Sequence, residues 1–380
     1  MLGVHVQAVD LWARVGWLGV DLFFVLSGFL ISNLLFSEYR QTQGISLRSF
    51  YLRRALKLYP GFYLMLFSSL VFCAVDGRQV TVRSALGELF FVQNYLGRLW
   101  GHTWSLAVEE HFYLILPLLL IFLAARSPAD RPFARLPFIF VCVAAGCLAA
   151  RILTWILVPF EYSVHFQMSH LRFDSLFFGV FLGYYFNFRP EVIAKLTGKY
   201  RPVLFYGSFV CVAPCIIVPN SLPIMYTLGF SLVYLGFGGL LLLALFGPDG
   251  RLIQSDKPAG LVERGMAKMG VFSYSIYLWH VPMAMMFAGA HDWLESHHAS
   301  PEPYSFFAAY LVASVLFGVA TAKLVEFPVL RLRDRYIPRH RSGDLSLEVP
   351  RLSGCRVDTR LSAVDKSAGA MLGTRDLPTA

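Results

Sequence analysis

The stretch Trp17–Asn33, WLGVDLFFVLSGFLISN, is an almost entirely apolar run broken by one carboxylate, Asp21, and by a Ser27-Gly28 step. Asp21 is the only charge between Gly16 and Phe36. A helix needs about 20 residues, at about 1.5 Å of rise each, to cross about 30 Å of hydrocarbon, so this run predicts a membrane span. Asp21, Val25, Gly28 and Ser32 share one helical face, which puts the carboxylate on the side whose small residues let a neighbouring backbone approach. That face is expected to point into protein rather than lipid. A functional aspartate and a packing aspartate that satisfies a neighbouring backbone are equal readings here.

The rest of the chain has the same character. Of its 380 residues 56% are hydrophobic and only 15% charged, and the mean hydropathy is +0.57, which excludes an ordinary soluble domain. The expected fold is an all-α integral membrane bundle. Cys73, Cys142, Cys147, Cys211 and Cys215 lie in apolar segments and Cys355 in a polar one, without framework or metal-ligand spacing, so neither disulfides nor a metal site are expected. The net charge of +9 could point to nucleic acid. In a membrane protein it more often marks cytoplasmic connections, and no nucleic-acid partner is expected.

Taken in order, Met1–Gln7 is an apolar scrap carrying His5, too short to span and without the features of a signal peptide. It reads as the end of a helix whose beginning is missing. After the Asp21 span comes a basic connection, SEYRQTQGISLRSFYLRRALKLYP, with Arg40, Arg48, Arg53, Arg54 and Lys57 ahead of Pro60. Further spans are expected at 57–75, 104–125, 136–157, 170–187, 202–218, 224–247, 271–290 and 305–327, for about ten crossings with the incomplete first one. Arg126, Arg131 and Arg135, then Arg189, Lys195, Lys199 and Arg201, then Arg251, Lys257, Arg264 and Lys268 occupy alternate connections, whereas 158–169, 219–223 and 291–304 have no Lys or Arg. The positive-inside rule makes the basic set cytoplasmic. This holds only if 84–96, SALGELFFVQNYL, does not cross, so it is expected to be a re-entrant or interfacial helix. Residues 1–338 form the membrane domain, and 339–380, low in aromatics, read as a disordered cytoplasmic tail.

Ionisable residues inside spans are costly and tend to be functional, with a structural ion pair as the competing reading. In HTWSLAVEEHFYLILP, Ser105, Glu109 and Tyr113 stack on one helical face, with Glu110 and His111 turning to adjacent ones. Two adjacent carboxylates repel, so one of them is expected to hold its proton unless a cation answers it, and Arg151 and Arg172 are candidate cations. Asp174 follows Arg172 by two positions and faces elsewhere; Ser175, Gly179 and Gly183 form a small-residue stripe. His280 reads as an interfacial histidine and Glu326 as a partner for nearby arginines. His5 could act as a general base, its ordinary pKa being about 6.5, although an isolated histidine is more often simply a satisfied one. There is no Walker loop, GxGxxG turn, GxSxG elbow or HExxH, which disfavours ATP and zinc chemistry.

With these residues laid out, the chain resembles the integral-membrane acyltransferase-3 family from His5 to Arg335. GVDLFFVLSGFLI (19–31), FYLRRALKLYP (50–60), WSLAVEEHFYLILP (104–117), RFDSLFFGVFLGY (172–184), SYSIYLWHVP (273–282) and VEFPVLR (325–331) stand in family order. The family pattern puts an arginine eleven residues before the histidine that His5 matches, which would fall before Met1, so the resemblance implies a chain truncated at its N-terminus. It also has an Arg-x-x-Arg, here Arg54-Ala-Leu-Lys57, and commonly a Gln where His111 stands. Lys57 keeps the charge of the second arginine but not its planar fork.

The resemblance implies a bacterial plasma-membrane O-acyltransferase with no bound cofactor and with acyl-CoA, acetyl-CoA above all, as donor substrate. Its phosphates would stay in the cytoplasm against Arg53, Arg54 and Lys57. A carbohydrate or other hydroxyl acceptor would arrive from outside the bilayer. His5 would take its proton, a nearby donor would hold the oxyanion, and Glu109 or Glu110 would orient the histidine or a neighbouring cation. Asp21, Ser105, Arg172 and Asp174 complete the intramembrane polar set. The rival expectations are an exporter of an acylated or sugar-like solute and an inactive truncated homologue. Acceptor recognition is expected in the outer loops 76–103 and 158–169.

Overall fold

The structure, a computed structural model, describes residues 15–128, 130–253, 260–298 and 302–337. Helices make up the fold: α1 (Leu18–Thr42), α2 (Leu47–Val75), α3 (Val82–Leu89), α4 (Gln93–Leu96), α5 (Trp104–Arg126), α6 (Leu136–Leu157), α7 (Tyr162–Gln167), α8 (Phe173–Phe188), α9 (Pro190–Thr197), α10 (Arg201–Ile217), α11 (Phe230–Leu245), α12 (Leu261–Ser296), α13 (Pro303–Thr321) and α14 (Phe327–Tyr336). Wide π-turns at Met225–Gly229 and Ala322–Glu326 lead into α11 and join α13 to α14.

Seven of these stretches are long and apolar enough to cross a membrane, or eight if α9 and α10, bent by 83° at their junction, count as one broken span. The chain is thus an all-α, multi-pass membrane protein. The expected count of about ten is not reached among the described residues. His5 and the rest of the first expected helix lie outside them, as does the tail 339–380, and the segment read as 170–187 folds as the 16-residue α8, too short to pass the same test. The 84–96 stretch makes no span: it breaks into α3 and α4.

The α1–α8 contact is the spine of the bundle. Gly28 lies so close to the carbonyl of Leu176 and to Gly179 that a Cβ there would collide with backbone, and a Cβ at Gly183 would meet the side-chain hydroxyl of Ser32. Asp21, Val25 and Ser32 are fully buried. The two small-residue stripes visible in the sequence are therefore the two halves of one contact.

One boundary differs in a way that moves the candidate site. Ser46 caps α2, its hydroxyl accepting from the Ser49 amide at 3.3 Å, so the helix starts at Leu47 and runs unbroken past Pro60. Arg53, Arg54 and Lys57 consequently lie on a helix rather than in a connection. Pro60 cannot donate to the carbonyl of Leu56, and Tyr274 donates to the neighbouring Leu58 carbonyl at 2.6 Å.

Candidate active site

Three neighbouring helices, α1 and α5 running parallel and α2 antiparallel to them, converge inside the bundle. Ser27 lies nine residues into α1 and Tyr113 nine into α5, each about 13 Å from its helix start, and their hydroxyls share a hydrogen bond. α2 enters from the opposite end and brings Arg54 to the same level. Its Nη2 is 3.6 Å from Glu109 Oε2, and its guanidinium lies over the Tyr113 ring, 3.8 Å from the centroid. Tyr59, just over one turn further along α2, donates to Glu110 Oε2 at 3.1 Å. The two adjacent carboxylates are thus split between different partners on α2, which relieves their repulsion.

Arg54, not Arg151 or Arg172, is the cation that answers the Glu109-Glu110 pair. The sequence alone points away from it, because Arg54 falls in the basic stretch between two apolar runs. Arg172 donates to Asp21 Oδ1 at 2.7 Å, and Arg151 pairs with Asp174 while its Nε donates to the Cys147 carbonyl at 3.2 Å. All four of these side chains are buried. Asp174 also sits in the first turn of α8, where the helix dipole favours an anion.

The mid-depth centre is incompletely bonded. Arg54 Nε, Glu109 Oε1 and Glu110 Oε1 are buried without a hydrogen-bond partner. A buried polar atom left unpaired costs about 1–3 kcal/mol, so such atoms call for an explanation, and a reacting group is one. Ser105 turns toward Tyr277, 2.6 Å away, and Tyr277 donates onward to the His102 carbonyl at 2.5 Å. His111 leaves the carboxylates and reaches Ser169 at 2.9 Å.

The α3–α5 junction is held by a residue that the sequence reading passed over. Glu88 is fully buried, and its Oε1 accepts from the amides of Leu99 and Trp100, at 3.0 and 3.1 Å, and from the Thr103 hydroxyl at 2.9 Å. Burial raises its carboxyl above the ordinary range, with these three donors pulling the other way. Its only sequence signal was being the sole carboxylate in the stretch that does not span. His102, which follows, bonds through Nε2 to the Leu278 carbonyl at 3.1 Å; a carbonyl only accepts, so Nε2 carries the proton and Nδ1 is bare.

At the basic end, Arg53 donates to the Ile337 carbonyl at 2.9 Å and approaches Asp334 at 3.9 Å, tying α2 to α14. Beside them a cavity of about 470 Å³ is lined by Lys323, Phe327, Leu330, Arg331 and Asp334. Glu326 accepts from Ser275 at 2.9 Å rather than pairing with the arginines expected for it. His280, expected at the interface, bonds to the Tyr277 carbonyl at 2.5 Å and lies against His102. His291, Asp292 and Glu295 each offer a ligand atom within 4.8 Å of the others, but both carboxylates are exposed, and the contact of His291 with Glu295 at 3.8 Å accounts for the grouping.

A family model described as "Acyltransferase domain" matches residues 3–323. The chain is 27% identical over 342 residues to the O-acetyltransferase OatA of Staphylococcus aureus, covering 84% of this chain and 53% of that protein. It is 28% identical over 297 residues to the peptidoglycan O-acetyltransferase OatA of Listeria monocytogenes, covering 72% of this chain and 45% of that protein. It thus spans about half the length of the curated relatives it matches. No solved structure matches it.

Proposed function

The chain belongs to the integral-membrane acyltransferase-3 family, and from that premise we propose that it transfers an acyl group, acetyl by analogy with its relatives, from a cytoplasmic acyl-CoA to a hydroxyl of an extracytoplasmic carbohydrate, at the Arg54–Glu109 centre. The carrying observation is that a partly buried guanidinium, through its buried Nε, and two buried carboxylates keep open hydrogen-bonding valences inside the bundle. Acceptors named for the relatives are peptidoglycan, which supports a carbohydrate. The donor's phosphates, too polar for lipid, stay at the basic end against Arg53, Lys57, Lys323 and Arg331. That end faces the cytoplasm of a bacterial plasma membrane, and the C-terminus lies on the same side.

The thioester reaches inward along α2. The acceptor oxygen attacks its carbonyl carbon while a base, His5 in the family pattern, takes the hydroxyl proton; His5 itself lies outside the described residues. Arg54 Nε–H donates to the developing oxyanion. Glu109 holds Arg54 in place, and its role is to orient this cation. When the tetrahedral centre collapses, the carbon–sulfur bond breaks and the thiolate recovers the proton from the base. No metal or second energy source enters the balance.

Radiolabelled acetyl-CoA and a peptidoglycan-derived oligosaccharide supplied on opposite sides of proteoliposomes test the reading. The expected result is alkali-labile label on the oligosaccharide with stoichiometric release of free thiol. A thioester that stays intact while solute crosses the bilayer would replace the enzyme with an exporter.

A further inference from the structure

The end of the bundle opposite the basic connections holds a second set of open valences that the acyl transfer above does not use. Asp21 Oδ2, Arg172 Nε and Nη1, Arg151 Nη1 and Trp17 Nε1 are all buried with no hydrogen-bond partner. A purely structural pair of salt bridges would close these valences, because each one left open costs about 1–3 kcal/mol. Both arginines and Trp17 gather around one aromatic side chain, Phe230. The Arg172 guanidinium lies 3.7 Å from the Phe230 ring centroid and that of Arg151 lies 5.6 Å from it, while Trp17 meets the same ring edge-on at 5.7 Å.

Aromatic rings lead from this cluster to the surface. Phe166 packs against both Trp17 and Phe230 and is stacked on Tyr162, with ring centroids 4.5 Å apart. Tyr162 is 39% exposed. The connection that carries it, 158–169, has no Lys or Arg.

We infer that this cluster is the subsite that holds a sugar ring of the acceptor, with the ring against the exposed face of Tyr162 and its hydroxyls directed to Trp17 Nε1, Asp21 and Arg172. The inference rests on the carbohydrate reading given above. Two features choose the ligand class. The two aspartates balance the two arginines, so nothing attracts an ionic ligand. The open valences are of both kinds, N–H donors and a carboxylate acceptor, which suits groups that donate and accept at once, as hydroxyls do. Aromatic walls with a few fixed polar groups are the general make-up of a small-molecule site, and the faces of a pyranose present C–H groups to such walls.

Saturation-transfer NMR with the full chain in nanodiscs and a chito-oligosaccharide as probe tests this. Wild type is expected to transfer saturation to the ring protons of the sugar, and Trp17→Phe and Tyr162→Ala to weaken binding by tenfold or more. Trp17→Phe keeps the aromatic packing and Tyr162 is exposed, so thermal unfolding should stay near wild type. Trp155→Phe, on an exposed side chain of α6, serves as control. Variants that bind as tightly as wild type would overturn the subsite alone. Wild type that binds no oligosaccharide would overturn the carbohydrate reading itself. Displacement of the probe by inorganic phosphate would make this an anion site and overturn the inference.

Discussion

Arg54 of α2 and Glu109 of α5 meet at 3.6 Å in the interior of the bundle, with the Tyr113 ring beneath the guanidinium. Each residue satisfies the other's charge, so neither can be removed cleanly. Truncating one partner of a buried pair costs about 3–5 kcal/mol, because the other is left charged and alone. Arg54→Lys and Glu109→Gln are each expected to lower the acyl-transfer rate about a hundredfold, the scale of losing one oxyanion donor. Lysine fails because it lacks the planar group that stacks on Tyr113 and carries Nε–H. The double variant should be little worse than either single one. Lys57→Ala should instead raise the donor KM while sparing kcat, and the reverse assignment in steady-state kinetics would refute this division of labour.

Gly28 fixes how closely α1 and α8 approach. A Cβ would collide with the Leu176 carbonyl, and backbone cannot turn aside as a side chain can. Gly28→Ala should therefore destabilise by about 1–3 kcal/mol, the range for overpacking a core. Gly146→Ala meets nothing within 4 Å and should be neutral. Thermal unfolding of the two variants in detergent compares them directly; equal midpoints would mean that the α1–α8 spacing relaxes freely.

Glu88 gives a pH signature whose sign is fixed by burial. Its carboxyl is raised above its unfolded value, so the folded chain binds the proton more tightly. That contribution is fully present below the unfolded pKa of about 4.3 and is lost as pH rises through the folded value, with a slope of at most about 1.4 kcal/mol per unit. Glu88→Gln does not titrate. Its unfolding midpoint relative to wild type should climb from pH 4 toward neutrality and then level off. A difference that shrinks over that range would mean that the three donors outweigh burial.

The basic connections predict the orientation of the bundle. A reporter fused after Lys199, between α9 and α10, should read cytoplasmic, and one inserted after Ser296, at the end of α12, should read external. An external signal from the Lys199 fusion would mean that α3 and α4 or the bent α9–α10 pair changes the number of crossings.

By itself the sequence determined the class of molecule and much of its packing. Long apolar runs can be nothing but membrane helices, because no other open-ended backbone satisfies its own hydrogen bonds in lipid. Periodicity then assigned Asp21, Val25, Gly28 and Ser32 to one face and Ser175, Gly179 and Gly183 to another, and these faces do pack together. The motif order identified the family, which the match over residues 3–323 bears out. What only the tertiary structure decided was the pairing of charges. A lone helix says which way a side chain points, not what another helix brings to meet it, and Arg54, Arg151 and Arg172 could each have met Asp21, Glu109, Glu110 or Asp174. Because α2 starts at Leu47, Arg54 lies on a helix inside the bundle and meets Glu109, while Arg172 meets Asp21 and Arg151 meets Asp174. Burial in a low-dielectric interior makes each such match strongly specific, but its partners lie 55, 151 and 23 residues apart, a separation that no local pattern records.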